Sequence, residues 1–386
     1  MPIPRIYLDN NATTPVHPQV ADAIRPFLNG LFGNPSSLHF AGREVKTSYE
    51  AARGQIARTI GAGMEEIVIT SCGSEADNHA IKGIALAAGK GHIITSMVEH
   101  PAVLNVCRYL ETRGFAVTYL PVDGHGLVDP DDVRRSITKN TILISIMYAN
   151  NETGTVMPVG DIARIAREKE IPFHSDMVQA LGKLDVDVGT LGVDLASFSG
   201  HKVYAPKGVG ALYVREGMSL HNLIHGGHQE SGRRAGTENV IGIVAFGKAC
   251  EIAGDKMDER SSATEALRKR LLDGILERID HVRLNGHPVQ RVSNTLNLSF
   301  QFVESESLLL ALDMKGVAVS SGSACSSGSS EPSHVLLAMG IPGDLCQSAL
   351  RFSLGRDNTR EEIDYVIEIL PGIVARLREM SPFYKR

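Results

Sequence analysis

The chain alternates between short apolar runs and amphipathic stretches, and this alternation constrains the fold more than any other feature. Helical patterns, such as those over 43–60 and 161–169, separate several of the apolar runs. Strands that alternate with helices form a mostly parallel sheet that helices cover on both faces. We therefore predict an α/β fold. The predicted strands of this series are 67–71, 92–96, 116–120, 142–148, 172–174, 195–199 and 211–214.

A second, smaller lobe is expected, because 386 residues exceed what one small core organises. A long amphipathic helix over 258–279 links to a region whose predicted strands are 295–300, 317–321 and 350–353. Thr359 and Glu362 form a capping box that opens the last helix. The opening residues 1–8 also have a strand pattern. We predict a large domain over 17–257 and a small α+β domain made of 1–16 and 258–386.

Composition narrows the function classes. The net charge is −5, and no run of like charges indicates a nucleic-acid or polybasic membrane role. No apolar stretch approaches the roughly 18–20 residues of a membrane span, and no signal-peptide core is present. Five scattered cysteines form neither a disulfide framework nor a metal knuckle. We expect a cytoplasmic protein without a metal site.

Polar side chains gather where the predicted strands end. The carboxyl ends of strands in an open α/β sheet border one crevice, so we expect these side chains to converge there. They are Ser74, His100, Asn150, Asn151, Glu152, Asp176 with Gln179, and Ser199 with His201 and Lys202.

Lys202 and Asp176 together suit pyridoxal 5′-phosphate. A lysine amine can form a Schiff base with the aldehyde of this cofactor, and a carboxylate keeps its pyridine nitrogen protonated. Each residue has an ordinary alternative: a lysine after a strand is commonly a solvated surface group, and Asp176 could cap a helix that begins near Met177. The two follow neighbouring predicted strands, which favours the cofactor interpretation.

The stretch Cys72-Gly73-Ser74 joins a buried strand to a helix. Free backbone N–H groups and the helix dipole make such a junction an anion site. A routine strand-to-helix turn is the alternative.

Two loops stand out later in the chain. The stretch 226–239 is glycine-rich, and we predict a plain loop or an interface; His225 and His228 lack a third metal ligand at useful spacing. The serine-rich stretch 320–333 carries Cys325, which has almost no apolar neighbours. We predict a mobile loop with a reactive thiol, whereas Cys107, Cys250 and Cys346 lie in apolar contexts typical of buried cysteines.

At this point the sequence resembles the cysteine desulfurases of the NifS/IscS type, which belong to the class-V aminotransferases and have the pyridoxal-phosphate-dependent fold type I. The resemblance spans nearly the whole chain. Its motifs are Tyr7-Leu8-Asp9-Asn10-Asn11-Ala12-Thr13-Thr14, Gly33-Asn34-Pro35-Ser36-Ser37-Leu38-His39, Glu99-His100-Pro101-Ala102, Asn150-Asn151-Glu152-Thr153-Gly154, Ser199-Gly200-His201-Lys202, Arg233-Arg234-Ala235-Gly236-Thr237, Gly322-Ser323-Ala324-Cys325 and Arg351-Phe352-Ser353-Leu354.

The resemblance implies a role for each site residue. Lys202 would carry the cofactor and move the substrate α-proton, and Cys325 would take sulfur from L-cysteine as a persulfide, leaving alanine. His100 would stack on the cofactor ring and Asp176 would pair with its nitrogen. Gln179 and Asn151 would bond the phenolic oxygen of the cofactor, and Asn34 and Arg351 would bind the substrate carboxylate. The cofactor phosphate would be held by Gly73, Ser74, Ser199, His201 and the partner subunit's Thr237.

The same resemblance implies a homodimer that delivers sulfur to an iron–sulfur scaffold or another sulfur-acceptor protein. A selenocysteine lyase and an aminotransferase of the same fold are the enzyme alternatives. An aminotransferase would not need Cys325. A sulfur-carrier scaffold is the alternative from another class, against which the complete catalytic set stands.

Overall fold

The computed structural model describes residues 5–255, 257–321, 332–382 and 384 of the chain. Its strands are β1 (Ile6–Tyr7), β2 (Ile67–Thr70), β3 (His92–Ser96), β4 (Ala116–Leu120), β5 (Thr141–Ser145), β6 (Phe173–Asp176), β7 (Leu195–Ser199), β8 (Gly210–Val214), β9 (Val282–Asn285), β10 (Thr295–Phe300), β11 (Val317–Ala318), β12 (Ser320–Ser321) and β13 (Ala349–Ser353).

Its α-helices are α1 (Pro18–Ile24), α2 (Phe40–Thr59), α3 (Gly73–Ala88), α4 (Pro101–Glu111), α5 (Pro130–Ser136), α6 (Val159–Glu168), α7 (Val188–Leu191), α8 (Val240–Gly254), α9 (Met257–Arg278), α10 (Ser305–Asp313), α11 (His334–Ala338), α12 (Gly343–Gln347) and α13 (Arg360–Met380).

Seven strands form the main sheet in the order β2-β8-β7-β6-β5-β3-β4. Strands β3 to β7 pair in parallel, and β8 runs antiparallel to both β2 and β7. A strand that ran parallel to β7 would need a crossover connection of a dozen or more residues. β7 and β8 are joined only by a short turn and loop, and β8 is therefore antiparallel. The predicted α/β class with a mostly parallel sheet is confirmed.

Helices cover both faces of this sheet, as the alternation of its buried residues shows. Ile94, Ile144 and Ala196 belong to one apolar cluster, which includes residues of α2, α6 and α8. Ile93 and Leu143 belong to the cluster on the other face, which includes residues of α3 and α4. Successive strand residues therefore point into different cores, as the period of two requires.

The strand order reverses beside β3. From β3 the chain passes to β4 on one side and then returns to β5 on the other side. Ligand crevices in open α/β sheets form at such a reversal, outside the carboxyl ends of the strands. The fold thus places a crevice beyond Ser96 and Ser145, the last residues of these two central strands.

A second apolar core holds the smaller lobe together. It lies between a four-stranded antiparallel sheet, in the order β12-β13-β10-β9, and the helices α9, α10 and α13. The N-terminal segment joins this lobe, because β1 pairs with β11 and Asp9 bridges to Ser353. The division into 17–257 against 1–16 with 258–386 stays a prediction.

Most predicted elements of this lobe are present, with two differences. The predicted strand 317–321 is two short strands, β11 and β12, interrupted at Val319. Strand β9 has no predicted counterpart, because its Val-Arg-Leu-Asn sequence is short and polar and lies at the sheet edge. The capping box at Thr359 and Glu362 is confirmed. Within the described part of the chain, no helix is both long and apolar enough to cross a membrane.

The glycine-rich stretch 226–239 is a loop, but one residue in it is firmly buried. The carboxylate of Glu230 accepts hydrogen bonds from the Tyr49 hydroxyl, from Arg53 Nη2 at 2.6 Å and from the Ile69 amide at 2.8 Å. The side chains of Arg53 and Glu230 are 11% and 3% exposed. This buried ion pair anchors the loop to α2 and to the edge of the main sheet.

We expect Glu230→Gln to lower the free energy of unfolding by about 3 kcal/mol, because it leaves the buried Arg53 cation without its counter-charge. Urea unfolding measures the change. Glu168→Gln is the matched control: its ion pair with Arg134 is about half exposed, so its removal should lower the free energy of unfolding far less than Glu230→Gln does. Equal losses in the two variants would contradict the anchoring role.

Candidate active site

A cavity of about 280 Å³ opens at the carboxyl ends of the central strands. Ten of the residues predicted from the sequence line it together. They are Gly73, Ser74, His100, Asn151, Asp176, Gln179, Ser199, His201, Lys202 and Arg351. The cavity is also lined by residues that the sequence prediction did not include, among them Asn11, Cys72, Asp77 and Met147.

Lys202 enters the cavity from the turn that follows β7. A Cβ atom at Gly200 would lie 2.9 Å from a methyl group of Val209, so the tight turn requires glycine there. The Lys202 ammonium donates to the carbonyl oxygens of Asn11 at 2.6 Å and Ala12 at 2.7 Å. These contacts hold the amine against the N-terminal segment, inside the cavity rather than in solvent.

Asp176 ends β6, the strand beside β7, and pairs in register with Ser197. Its Oδ1 accepts a hydrogen bond from the Val178 amide at 2.9 Å, so the residue caps a turn rather than a helix. Burial raises the pKa of Asp176 to about 6, although the nearby Lys202 cation and the Val178 hydrogen bond lower it. A cationic ring nitrogen placed in the cavity would stabilise the ionised form of this carboxyl.

A second carboxyl, Asp77, lies beside Asp176 on the buried face of α3. Oxygen or nitrogen atoms of Asp77, Asp176 and His100 all lie within 4.8 Å of one another. Asp77 Oδ1 accepts no hydrogen bond from the described residues. Burial, and then the Asp176 charge, raises the pKa of Asp77 well above its ordinary value. The sequence shows only that Asp77 lies on a helix three residues after Ser74, and this did not indicate that Asp77 lines the cavity.

His100 caps the N-terminus of α4, where its Nδ1 accepts from the Ala102 amide at 3.1 Å. Burial, and then the positive charges of Lys202 and His334, lower the pKa of His100 to about 4. The ring is therefore neutral near pH 7. A neutral imidazole can stack on an aromatic ring and can also accept a proton.

The phosphate subsite predicted from the sequence lies at the N-terminus of α3. Gly73 begins this 16-residue helix, and a Cβ there would approach Val178 Cγ2 to 2.8 Å. Ser74, Ser199 and His201 line the same cavity. Free helical N–H groups, two hydroxyls and an imidazole are suited to bind a phosphate. With Lys202 and Asp176 in the same cavity, this donor set fits pyridoxal 5′-phosphate.

Arg351, in β13 of the smaller lobe, lines the cavity and is almost completely buried. Its Nη1 donates to the Asn151 carbonyl at 3.0 Å, and its Nη2 contacts Asp9 Oδ1 at 2.7 Å. Its Nε has no acceptor among the described residues. A buried guanidinium N–H without a partner is a ready donor for a carboxylate.

Asn11 connects two lysines, Lys202 and Lys183, to the smaller lobe. Its carbonyl accepts from Lys202 and from Gln179 Nε2, the latter at 3.1 Å. Its side-chain oxygen accepts from Lys183 and Asn294, and its amide donates to Thr295 at 2.8 Å. The motif containing Asn11 was recognisable, but no local pattern indicated these distant contacts.

Two of the described residues that the sequence predicted for the site do not line this cavity. Asn34 and Thr237 are exposed and do not line it, and the Asn34 side chain caps the Ser36 amide at 2.9 Å. Cys325 lies outside the described residues. The roles of these three residues stay predictions.

The chain matches known proteins over nearly its whole length. The family model for aminotransferase class-V matches residues 6–366. The protein named cysteine desulfurase IscS from Dictyoglomus turgidum is 52% identical over 380 residues, which are 98% of this chain and 96% of that protein.

Solved structures agree with this match. A NifS-like protein superimposes with a TM-score of 0.92 at 39% identity, covering 97% of this chain and 100% of the other. The structure of SspA in complex with cysteine has a TM-score of 0.82 at 39% identity and covers 92% and 100% of the two chains.

The electrostatics of the cavity can be tested in the cofactor-free protein. Lys202→Ala should raise the pKa of His100 from about 4, because it removes a nearby positive charge. NMR titration of the histidine ring measures this. Lys207→Ala, which removes an exposed lysine from the same loop, should leave it unchanged. A His100 pKa at or above 6.5, or one insensitive to Lys202, would contradict the described environment.

Proposed function

The chain belongs to the class-V aminotransferase family and is a pyridoxal-phosphate-dependent cysteine desulfurase, and from this premise we propose which of its residues perform the reaction. Lys202 carries the cofactor, Asp176 pairs with its ring nitrogen, and Cys325 receives the sulfur. The observation that carries the assignment is that Asp176, at the end of β6, and Lys202, in the turn after the adjacent strand β7, line one cavity together with the N-terminus of α3.

The remaining cavity residues hold the cofactor. His100 stacks on its ring, and Gln179 and Asn151 bond its phenolic oxygen. Its phosphate binds to Gly73, Ser74, Ser199 and His201. When bound, the cofactor supplies an electron sink for the reacting carbon atoms of the substrate. The burial that raises the pKa of Asp176 also strengthens its attraction for a cationic ring nitrogen, because charges interact more strongly away from water.

The substrate is L-cysteine, and Arg351 binds its carboxylate. The unpartnered Nε of Arg351 and its neighbouring Nη2 form one edge of the guanidinium, which suits a bidentate contact. Asp9 already holds Nη2 from the other side and fixes the plane of the guanidinium. Asn34 completes the carboxylate site.

Three side chains move protons and sulfur. Lys202 removes the α-proton of the substrate, and the neutral His100 accepts or returns a proton beside it. The Cys325 thiolate then attacks the substrate sulfur. One S–S bond forms as the C–S bond breaks, and the carbon product gains protons to leave as alanine. The enzyme retains the sulfur atom as a persulfide on Cys325.

The protein acts as a homodimer. Four large apolar side chains are exposed along a short stretch beside Asn34: Leu28 (64%), Phe32 (81%), Leu38 (91%) and Phe40 (68%). Apolar groups this exposed and this close in sequence favour burial against another surface. A second copy would cover them. The exposed positions of Asn34 and Thr237 also fit residues that act across such an interface.

The persulfide passes its sulfur to an acceptor protein, such as an iron–sulfur scaffold. The relative named IscS supports this assignment. We also propose that the protein acts in the cytoplasm, as its sequence led us to expect.

Replacing Cys325 tests the proposed nucleophile. Cys325→Ser should bind the cofactor with an unchanged visible spectrum yet release neither sulfide nor alanine above background, because a hydroxyl cannot accept sulfur as a persulfide. Both products are assayed with cysteine and a thiol reductant. Cys346→Ser, whose hydroxyl can keep the bond to the Ile341 carbonyl, is the control that should retain activity. Alanine formation by Cys325→Ser at the unmodified rate would place the nucleophile elsewhere.

Replacing Arg351 tests the carboxylate site. Arg351→Ala should raise KM for cysteine by roughly 10- to 100-fold, since a charged hydrogen bond contributes about 1.5–3 kcal/mol. Arg351→Lys keeps the charge but not the planar fork, so it should restore only part of the loss. Arg283→Ala, on the exposed edge strand, should leave KM unchanged. An unaltered KM in Arg351→Ala would refute the site.

A further inference from the structure

Lys183 is a charged residue beside the active site to which no role has been given above. Its Nζ donates to Gln179 Oε1 at 2.6 Å and to Asn11 Oδ1 at 3.3 Å. Both of these acceptors are neutral amides. No ion pair among the described residues includes Lys183. Burial, and then the positive charges of Lys202 and Arg351, lower the pKa of Lys183 to about 7.

The contact with Lys183 settles the orientation of the Gln179 amide. Lys183 Nζ is the donor in this contact, so the group that faces it is the amide oxygen. The NH₂ group of Gln179 must then face the opposite way. There it donates to the Asn11 carbonyl at 3.1 Å, and that carbonyl also accepts from Lys202 at 2.6 Å. The amide donor is thereby held next to the reactive lysine.

We propose that Lys183 is a positioning residue, which fixes the Gln179 amide so that its NH₂ group faces the cofactor and donates to the phenolic oxygen. The inference rests on the role of Gln179 given under the proposed function. Without Lys183 the amide loses one of the two contacts that set its orientation, so it turns over more easily, and its carbonyl oxygen would then face an anionic oxygen, which repels it. The acting contact is Lys183 Nζ to Gln179 Oε1, two side chains four residues apart in sequence.

The surroundings of Lys183 make a conservative variant informative. Lys183 lines a different cavity, of about 340 Å³, whose lining also includes Lys202, Tyr204, Arg260 and Arg356. A guanidinium at position 183 therefore has room, and it keeps the positive charge and the N–H donors. Lys183→Arg should restore what Lys183→Met removes.

The test is the affinity of the cofactor-free full-length protein for pyridoxal 5′-phosphate, measured by absorbance or fluorescence titration. Lys183→Met should raise Kd roughly 10-fold, the size expected for losing a hydrogen bond to a charged oxygen. Lys183→Arg should stay within about twofold of the unmodified protein. Lys169→Met, at the exposed end of α6, is the matched control and should have no effect. Thermal unfolding checks that each variant is folded. If Lys183→Met does not fold, Lys183→Gln replaces it, with a smaller loss of cofactor affinity expected.

A double-mutant cycle with Gln179→Ala separates this inference from the proposed function. Gln179→Ala should weaken binding by itself, and adding Lys183→Met should then cost no more than about twofold, since Lys183 acts through Gln179. If Gln179→Ala bound the cofactor unchanged, the proposed role of Gln179 would fail. If Gln179→Ala weakened binding while Lys183→Met did not, or if Lys183→Met cost the same in both backgrounds, the positioning role alone would be overturned.

Discussion

The hydrogen bonds of Asn11 are the constraint on which the arrangement of the active site depends. This residue is 2% exposed, and both its backbone and its side chain bond to other parts of the molecule. On one side it holds Lys202, Gln179 and Lys183 of the main lobe, and on the other it bonds Thr295 and the Ser353 hydroxyl of the smaller lobe. Buried polar groups are costly when they lose partners, so the two lobes cannot shift apart here without exposing or orphaning several groups at once.

Charge is the second constraint. Burial, and then the charges of Lys202 and Arg351, lower the pKa of Lys183. Burial, and then the charge of Asp176, raise the pKa of Asp77, and both carboxyls line the cavity with Lys202 and Arg351. The cavity therefore offers carboxyls to a cationic ring nitrogen, and it offers cations and the α3 N-terminus to anionic oxygens, so the proposed cofactor would find opposite charges for both.

The sequence predicted the part of this site that local patterns encode. Lys202, Asp176 and Ser74 follow apolar strands, and parallel pairing brings strand ends together, so their convergence could be expected before any coordinates. Asn11 could not be found in this way, because its backbone contact with Ser353 joins residues 342 positions apart. Strand β8 runs antiparallel to β7 because the connection between the two strands is short, and the apolar pattern of β8 did not indicate this direction. The buried Glu230 was hidden in a glycine-rich loop, where composition alone indicates exposure.

The central claim is that Lys202, and not its neighbour Lys183, carries the cofactor. Both amines bond to Asn11, so their positions alone make them close rivals. Borohydride reduction of the loaded enzyme makes the covalent link permanent, and peptide mass spectrometry then locates it. The cofactor should be found on the peptide containing Lys202 and on no other. Its presence on the peptide containing Lys183, or on neither peptide after full loading, would show that Lys202 does not carry it.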